Sequence, residues 1–444
     1  MSTTLDVPPS TSGGNPLDRF FRLSERGTSV SREIRGGVAT FFALAYIVVL
    51  NPIILGSGKD FYGHTLNVGQ LTAATALVAG VMTLIMGLGG NLPLAIAAGL
   101  GLNGVVAFTI APTMSWPDAM GLVVLEGIGI CLLVVTGLRK LIMDAIPVAL
   151  KKAIGVGIGL FIALIGLVDA GFVTRLPDAA QSTVPVQLGA GGELTGWPIL
   201  VFCIGVLVTF VLLARRTAGA ILISIVGTTI LAIIINRAAH LTAADWGLIQ
   251  PVWPHKVVAT PDFGLIGKFS LFGGFVHAGV ITAIVFIFTL ILSDFFDAMG
   301  TIVGVTSEAG LLDEAGNVPA IGRVLFIDGL AAVAGGAGSV SSNTTFVESA
   351  AGVGEGARTG LASIVTGILL GLTSFLTPLA TVVPQQAAAP ALVAVGFLMM
   401  THVIACWYPS VYEWRYGNRP RPATFGARAS DSQGARLQVR HAWA

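Results

Sequence analysis

The stretch Gly335-Gly336-Ala337-Gly338-Ser339-Val340-Ser341-Ser342-Asn343-Thr344-Thr345-Phe346-Val347-Glu348 lies among apolar runs that each read as a membrane span. It is too polar to face lipid, and no water is available at that depth to satisfy its backbone, so it must be buried in protein or line a cavity. An earlier span has a matching interruption: Gly89-Gly90-Asn91-Leu92-Pro93 opens it, and Gly99-Leu100-Gly101-Leu102-Asn103-Gly104 weakens its middle. Two broken segments, the third and the tenth in order, point to an inverted repeat that holds a substrate at the membrane midplane. Their separation of seven spans is odd, so the two halves would run in opposite senses.

The composition agrees with this reading. Of 444 residues, 54% are hydrophobic and 11% charged, where a soluble domain carries roughly 25% charged residues. The chain therefore reads as an all-α polytopic membrane protein. Its net charge of +1 gives no field for nucleic acid. Cys131, Cys203 and Cys406 have neither metal-site nor disulfide spacing. Windows of about 19 residues place twelve segments near 37–55, 71–89, 92–110, 119–138, 148–168, 196–213, 218–235, 277–305, 321–337, 340–356, 359–377 and 387–403. The first is long enough to be a full span rather than a signal peptide. Arg19, Arg22, Arg26, Arg32 and Arg35, then Arg139-Lys140, Lys151-Lys152, Arg215-Arg216, Arg323 and Arg358 all fall on one side of this alternation. The positive-inside rule makes that side, with the N-terminus, cytoplasmic. The outside loop, 236–276, with Trp246, Trp253, His240 and His255, is expected along the interface.

Acids inside spans are the next signal, since each costs about 2.5–3.5 kcal/mol at a helix centre. In the eighth span Asp294 and Asp297 share a helix face by their i, i+3 spacing. Two carboxylates so close and so poorly hydrated cannot both ionise cheaply, so one is expected to carry a proton. Glu348 is the third candidate, at the start of a half-helix whose backbone N–H groups would point into the break. A carboxylate with amides suits a planar heterocycle such as a nucleobase, with Asn103 as donor or acceptor from the other broken segment. Thr344 and Thr345 could add hydroxyls, and Phe295, Phe296 or Phe346 could stack on the ring. Glu126, Asp169 and Asp328 read as structural, and the glycines at 155–159 as helix-packing positions. A rival reading, an intramembrane enzyme holding Mg²⁺ and diphosphate on Asp294-Phe295-Phe296-Asp297, lacks a second acidic motif and basic partners in the adjoining spans.

SDFFDAMGTIVGV at 293–305, SSNTTFVESAAGVGEGARTGL at 341–361, GLGLN at 99–103, EIRGGVATFFALAYIVVLNP at 33–52 and IPVALKKAIGVGIGLFIALIGLVDAGFV at 146–173 resemble the AzgA-like branch of the nucleobase cation symporter 2 family, the adenine, guanine and hypoxanthine permeases. The resemblance covers about 30–403. It implies the uracil-permease-type fold, two inverted seven-span repeats with short strands in the third and tenth spans. The implied organisation is a cytoplasmic segment 1–36, core spans 1–4 at 37–138, gate spans 5–7 at 148–235, an extracellular loop 236–276, core spans 8–11 at 277–377 and gate span 12 at 387–403. By position, Glu348 is the purine-binding carboxylate, Asp294 binds substrate and couples the proton, Asp297 supports it, and Asn103 is the third-span contact, beside Thr345 and Phe346. The implied activity is purine import by proton symport, with the proton as coupling ion and no cofactor. The implied partners are a purine base, the bilayer of a bacterial inner membrane and a second copy in a homodimer. Uracil or xanthine on the same scaffold, or a transport-defective paralogue, are the alternatives. Ala298 stands where the family usually has threonine. Residues 404–444, with six arginines and no lysine, are expected to form a polar, disordered tail in place of spans 13 and 14.

Overall fold

The computed structural model describes residues 16–138, 148–176, 186–217, 219–247, 249–254, 256–313 and 317–405. Arg139-Lys140, His255 and the expected tail beyond 405 lie outside them. Seven helices among the described residues are long and apolar enough to cross a membrane: Val30–Ser57, Val68–Gly90, Trp116–Val135, Trp197–Ala214, Ala220–Ala238, Val280–Glu308 and Gly360–Ala380. Shorter apolar helices cover Leu100–Thr113, Val156–Asp169 and Gln385–Met400. The protein is a mostly helical, multi-pass membrane protein.

The first span is divided into α1 (Val30–Leu44) and α2 (Ile47–Ser57) at Ala45-Tyr46. Pro52 in α2 has no N–H to give to the carbonyl four residues back. The turn before it is tightened by Val48 N–H to Ala45 O at 3.2 Å and Val49 N–H to Tyr46 O at 3.1 Å. Next come α3 (Val68–Ile85), β1 (Ile96–Ala98), α4 (Leu100–Val105) and α5 (Trp116–Val135). After α6 (Val148–Asp169), the short strands β2 (Val173–Arg175) and β3 (Val186–Leu188) form a hairpin. Then follow α7 (Trp197–Ala214), α8 (Ala220–Ala238), α9 (Val280–Glu308) and α10 (Ile321–Ala337). β4 (Asn343–Thr345), α11 (Ser349–Gly354), α12 (Gly360–Leu372) and α13 (Gln385–Ala405) complete the order.

The interrupted third and tenth segments meet. β1 and β4 pair antiparallel in the register Ile96 to Thr345, Ala97 to Thr344 and Ala98 to Asn343. Gly99 N–H to Ser342 O and Phe346 N–H to Ala95 O, both 2.9 Å, extend the ladder at its two ends. A two-stranded sheet in a membrane interior has two open edges that water cannot satisfy. Side chains take the place of further strands. The Thr83 hydroxyl donates to Ile96 O at 2.9 Å and accepts from Ile96 N–H at 3.0 Å, Ser349 Oγ accepts from Ala95 N–H at 2.9 Å, and Asp328 accepts from Thr345 N–H at 2.9 Å.

Around this sheet α3 packs on α12, and α5 packs on α10, while α1 lies against α12 and α9 against α5. A second group forms from α6, α7, α8 and α13, with α6 on α13 and α7 on both α8 and α13. Glycines let the backbones approach, as small residues do between membrane helices. A methyl group at Gly127 would meet Gly329 O at 2.6 Å, one at Gly80 would meet Gly367 O at 2.9 Å, and one at Gly159 would meet Gly396 O at 2.7 Å. The expected packing role of the glycine run therefore holds at Gly159.

The segment after Pro251 is not simply laid along an interface. Ser270 N–H bonds to Pro117 O at 2.8 Å and Gly267 N–H to Ala337 O at 2.7 Å, which ties it over the ends of α5 and α10. Trp246 is fully buried, with its indole N–H on Asn236 Oδ1 at 2.9 Å, whereas Trp253 is exposed.

Candidate functional site at the strand crossing

The acids found by sequence converge on the sheet. Asp294 on α9 is fully buried, and the Thr344 hydroxyl is the hydrogen-bonding group beside its carboxylate. Its neighbours include Asp328, Glu126 and Thr344. One helical turn on, Asp297 is only half-buried and lies near Glu348 and Asp328. The shared helix face predicted for the pair is correct, but it spans a fully enclosed site and its rim.

Glu348 sits between β4 and α11, where the chain turns from strand to helix. The Tyr46 hydroxyl, on the fully buried side chain at the break between α1 and α2, donates to Glu348 Oε1 at 2.5 Å. The half-helix does not present the free amides expected of it. Ser349, Ala350 and Ala351 N–H close three-residue turns on Phe346, Val347 and Glu348 O at 3.2, 3.0 and 2.9 Å. So short a helix satisfies its first donors by tight turns, leaving the Glu348 side chain as the polar group the segment offers.

On the opposite segment Asn103 is fully buried in α4, within the helix rather than capping it. Its Nδ2 donates to Asn51 Oδ1 at 2.5 Å, and its own Oδ1 has no partner among the described residues. Asn51 Nδ2 in turn donates to Thr75 Oγ1 at 2.8 Å and Val340 O at 3.2 Å.

Behind the sheet, two of the three acids read as structural, Glu126 and Asp328, are tied to β4 and its approach. Ser342 Oγ donates to Glu126 Oε1 at 3.0 Å, and Thr344 Oγ1 reaches Asp328 Oδ1 at 3.3 Å. Both acids hold the strand, as a structural reading requires, yet both also border Asp294. None of Glu126, Asp294 and Asp328 has a cationic partner among the described residues. Three carboxylates gathered without a cation cannot all be charged in so dry an environment, so this cluster can hold protons.

Thr345 contributes its backbone N–H to Asp328, and its buried hydroxyl lies beside the same carboxylate. Phe346 and Phe295 belong to the packed core, at 9% and 3% exposure. Tyr46 and Asn51 are the polar residues that sequence reasoning missed. Their only local signal is that they stand in an otherwise apolar span, Asn51 directly before Pro52.

The sequence profile of the Permease family matches residues 31–405. The chain is 36% identical over 394 residues to the adenine permease AdeP of Escherichia coli, covering 88% of this chain and 81% of that one. It is also 36% identical over 391 residues to the guanine/hypoxanthine permease PbuG of Bacillus subtilis, covering 86% and 83%. In fold it is similar to the transmembrane domain of the cyanobacterial bicarbonate transporter BicA, with a TM-score of 0.61 at 15% identity over 92% of this chain and 93% of that one.

Proposed function

The chain belongs to the adenine, guanine and hypoxanthine permease branch of the nucleobase cation symporter 2 family and is a permease rather than an enzyme; from that premise we propose that it imports purine nucleobases together with protons. The observation that carries this reading is the disposition of acceptors about the crossed strands. Glu348 is held by Tyr46, Asn103 keeps a carbonyl oxygen with no partner among the described residues, and Asp294 is enclosed beside Thr344, Asp328 and Glu126. A neutral base rich in N–H groups complements such a site, whereas an anion would be repelled by it. The similarity of the chain to adenine and to guanine/hypoxanthine permeases supports the same class of cargo.

Asp294 is the proton carrier in this scheme. Symport requires the base to bind better to the form of the site that carries the proton, and a protonated Asp294 would offer its O–H to an acceptor nitrogen or carbonyl oxygen of the purine. Proton and base would therefore be bound and released together. The helix pairing supports an inverted repeat: α3 with α12 is mirrored by α10 with α5, and α6 with α13 spans the two halves. The strand-bearing group would then act as a core that moves against the group of α6, α7, α8 and α13, exposing the site to either side in turn.

The test is uptake of radiolabelled adenine, guanine and hypoxanthine by cells lacking their own purine transporters. Asp294→Asn and Glu348→Gln are each expected to reduce uptake to background while the protein still reaches the membrane. Uptake at the unmodified rate by either variant would remove that residue from the mechanism. A protonophore should abolish accumulation; accumulation that persists in its presence would rule out proton coupling.

A further inference from the structure

The amide of Asn103 can present either a donor or an acceptor to a ligand, and its chemistry alone does not choose. The choice is made two residues away in the hydrogen-bond chain. Val340 O is a backbone carbonyl and can only accept, so the group of Asn51 that meets it at 3.2 Å must be Nδ2. That amide also gives its second hydrogen to Thr75 Oγ1 at 2.8 Å. Asn51 therefore turns Oδ1 toward Asn103, which must answer with its own Nδ2, at 2.5 Å. The carbonyl oxygen of Asn103 is what remains, fully buried and without a partner among the described residues. Reversing Asn103 would set two carbonyl oxygens against each other, and reversing Asn51 would set its oxygen against Val340 O.

We propose that Asn51 is a specificity-determining residue that fixes Asn103 as a hydrogen-bond acceptor, so that the third-span side of the site selects an N–H group of the purine. Asn51 acts through Asn103 and is a positioning residue, not a ligand contact. The inference rests on the purine-import reading above. It adds that both polar arms of the site, Glu348 and Asn103, are acceptors oriented by one broken helix, which carries Tyr46 and Asn51.

The experiment compares uptake of adenine and hypoxanthine, which differ at the six-position by an amino donor and an oxo acceptor. The full chain is used with Asn51→Ser, Asn51→Ala, Asn103→Ala and the double variant Asn51→Ser with Asn103→Ala. Thr75→Val, which leaves the Val340 bond in place, is the control. Wild-type uptake of both bases checks the underlying reading separately, and size-exclusion profiles check folding. Without the Asn51 carbonyl oxygen opposite it, Asn103 can turn and donate, so the ratio of KM values for the two bases should shift by about fivefold or more in Asn51→Ser and Asn51→Ala, the worth of one hydrogen bond. It should stay at the wild-type value in Thr75→Val, and Asn51→Ser should add nothing to Asn103→Ala. A fall in uptake of both bases with an unchanged KM ratio would overturn the proposal. Competition by N-methylated purines against the wild-type chain tests it without any variant: methylation of at least two different N–H positions should prevent competition, and sensitivity at one position alone would also overturn it.

Discussion

At the scale of single residues, Tyr46 isolates what one hydroxyl contributes. The Tyr46→Phe substitution keeps the buried ring and removes only the donor to Glu348. A hydrogen bond to a charged group contributes about 1.5–3 kcal/mol. The KM for purine should rise by about tenfold or more with maximal uptake nearly preserved, as measured by concentration-dependent uptake. Loss of maximal uptake at unchanged KM would instead mark Tyr46 as a packing residue. Asp294, Glu348 and Asn103 are legible from sequence because a polar group deep in a span carries its own cost and so announces a use. Tyr46 and Asn51 are not, because their partners lie 302 and 52 residues away and only the fold brings them together.

Among the elements, the broken segments are the most readable, since their glycines and serines cannot make a lipid-facing helix. That they pair as strands is written less openly. The edges are closed by Thr83, Ser349 and Asp328, none of which belongs to either strand. The start of α12 is closed in a comparable way by a distant acid. Glu33 of α1 is fully buried and accepts from Arg358 N–H at 2.7 Å, Thr359 N–H at 3.3 Å and Ala362 N–H at 3.2 Å. Its carboxylate supplies what a helix N-terminus lacks, in addition to the local cap from Thr359. Glu33→Ala should destabilise the protein by about 2 kcal/mol, the upper range for losing a cap. A lower midpoint of thermal unfolding in detergent checks this, and an unchanged midpoint would show that Thr359 suffices.

For the whole molecule, relative motion of the two helix groups needs a contact that changes, and α4 against α6 is such a contact. A methyl group on Gly104 would meet Ile165 Cδ1 at 2.6 Å, and one on Gly101 would meet Ile158 more closely still. In a chain without its native cysteines, Gly101→Cys with Ile158→Cys should cross-link on oxidation. Uptake should then stop and return on reduction; cross-linked protein that still transports would show that these groups do not need to move past each other. Short loops and apolar windows make the helices readable, but the grouping of α6 to α8 with α13 follows from side-chain shape and small-residue contacts that periodicity does not encode. The acids behind the sheet also constrain how the chain is made. Glu126 leaves the ribosome 216 residues before Ser342, the donor that will meet it. At about 5–20 residues per second that interval is on the order of 10–40 s. For that time α5 carries a carboxyl group without its final partner, a cost of about 2.5–3.5 kcal/mol at a helix centre that is relieved only when the second half of the protein arrives.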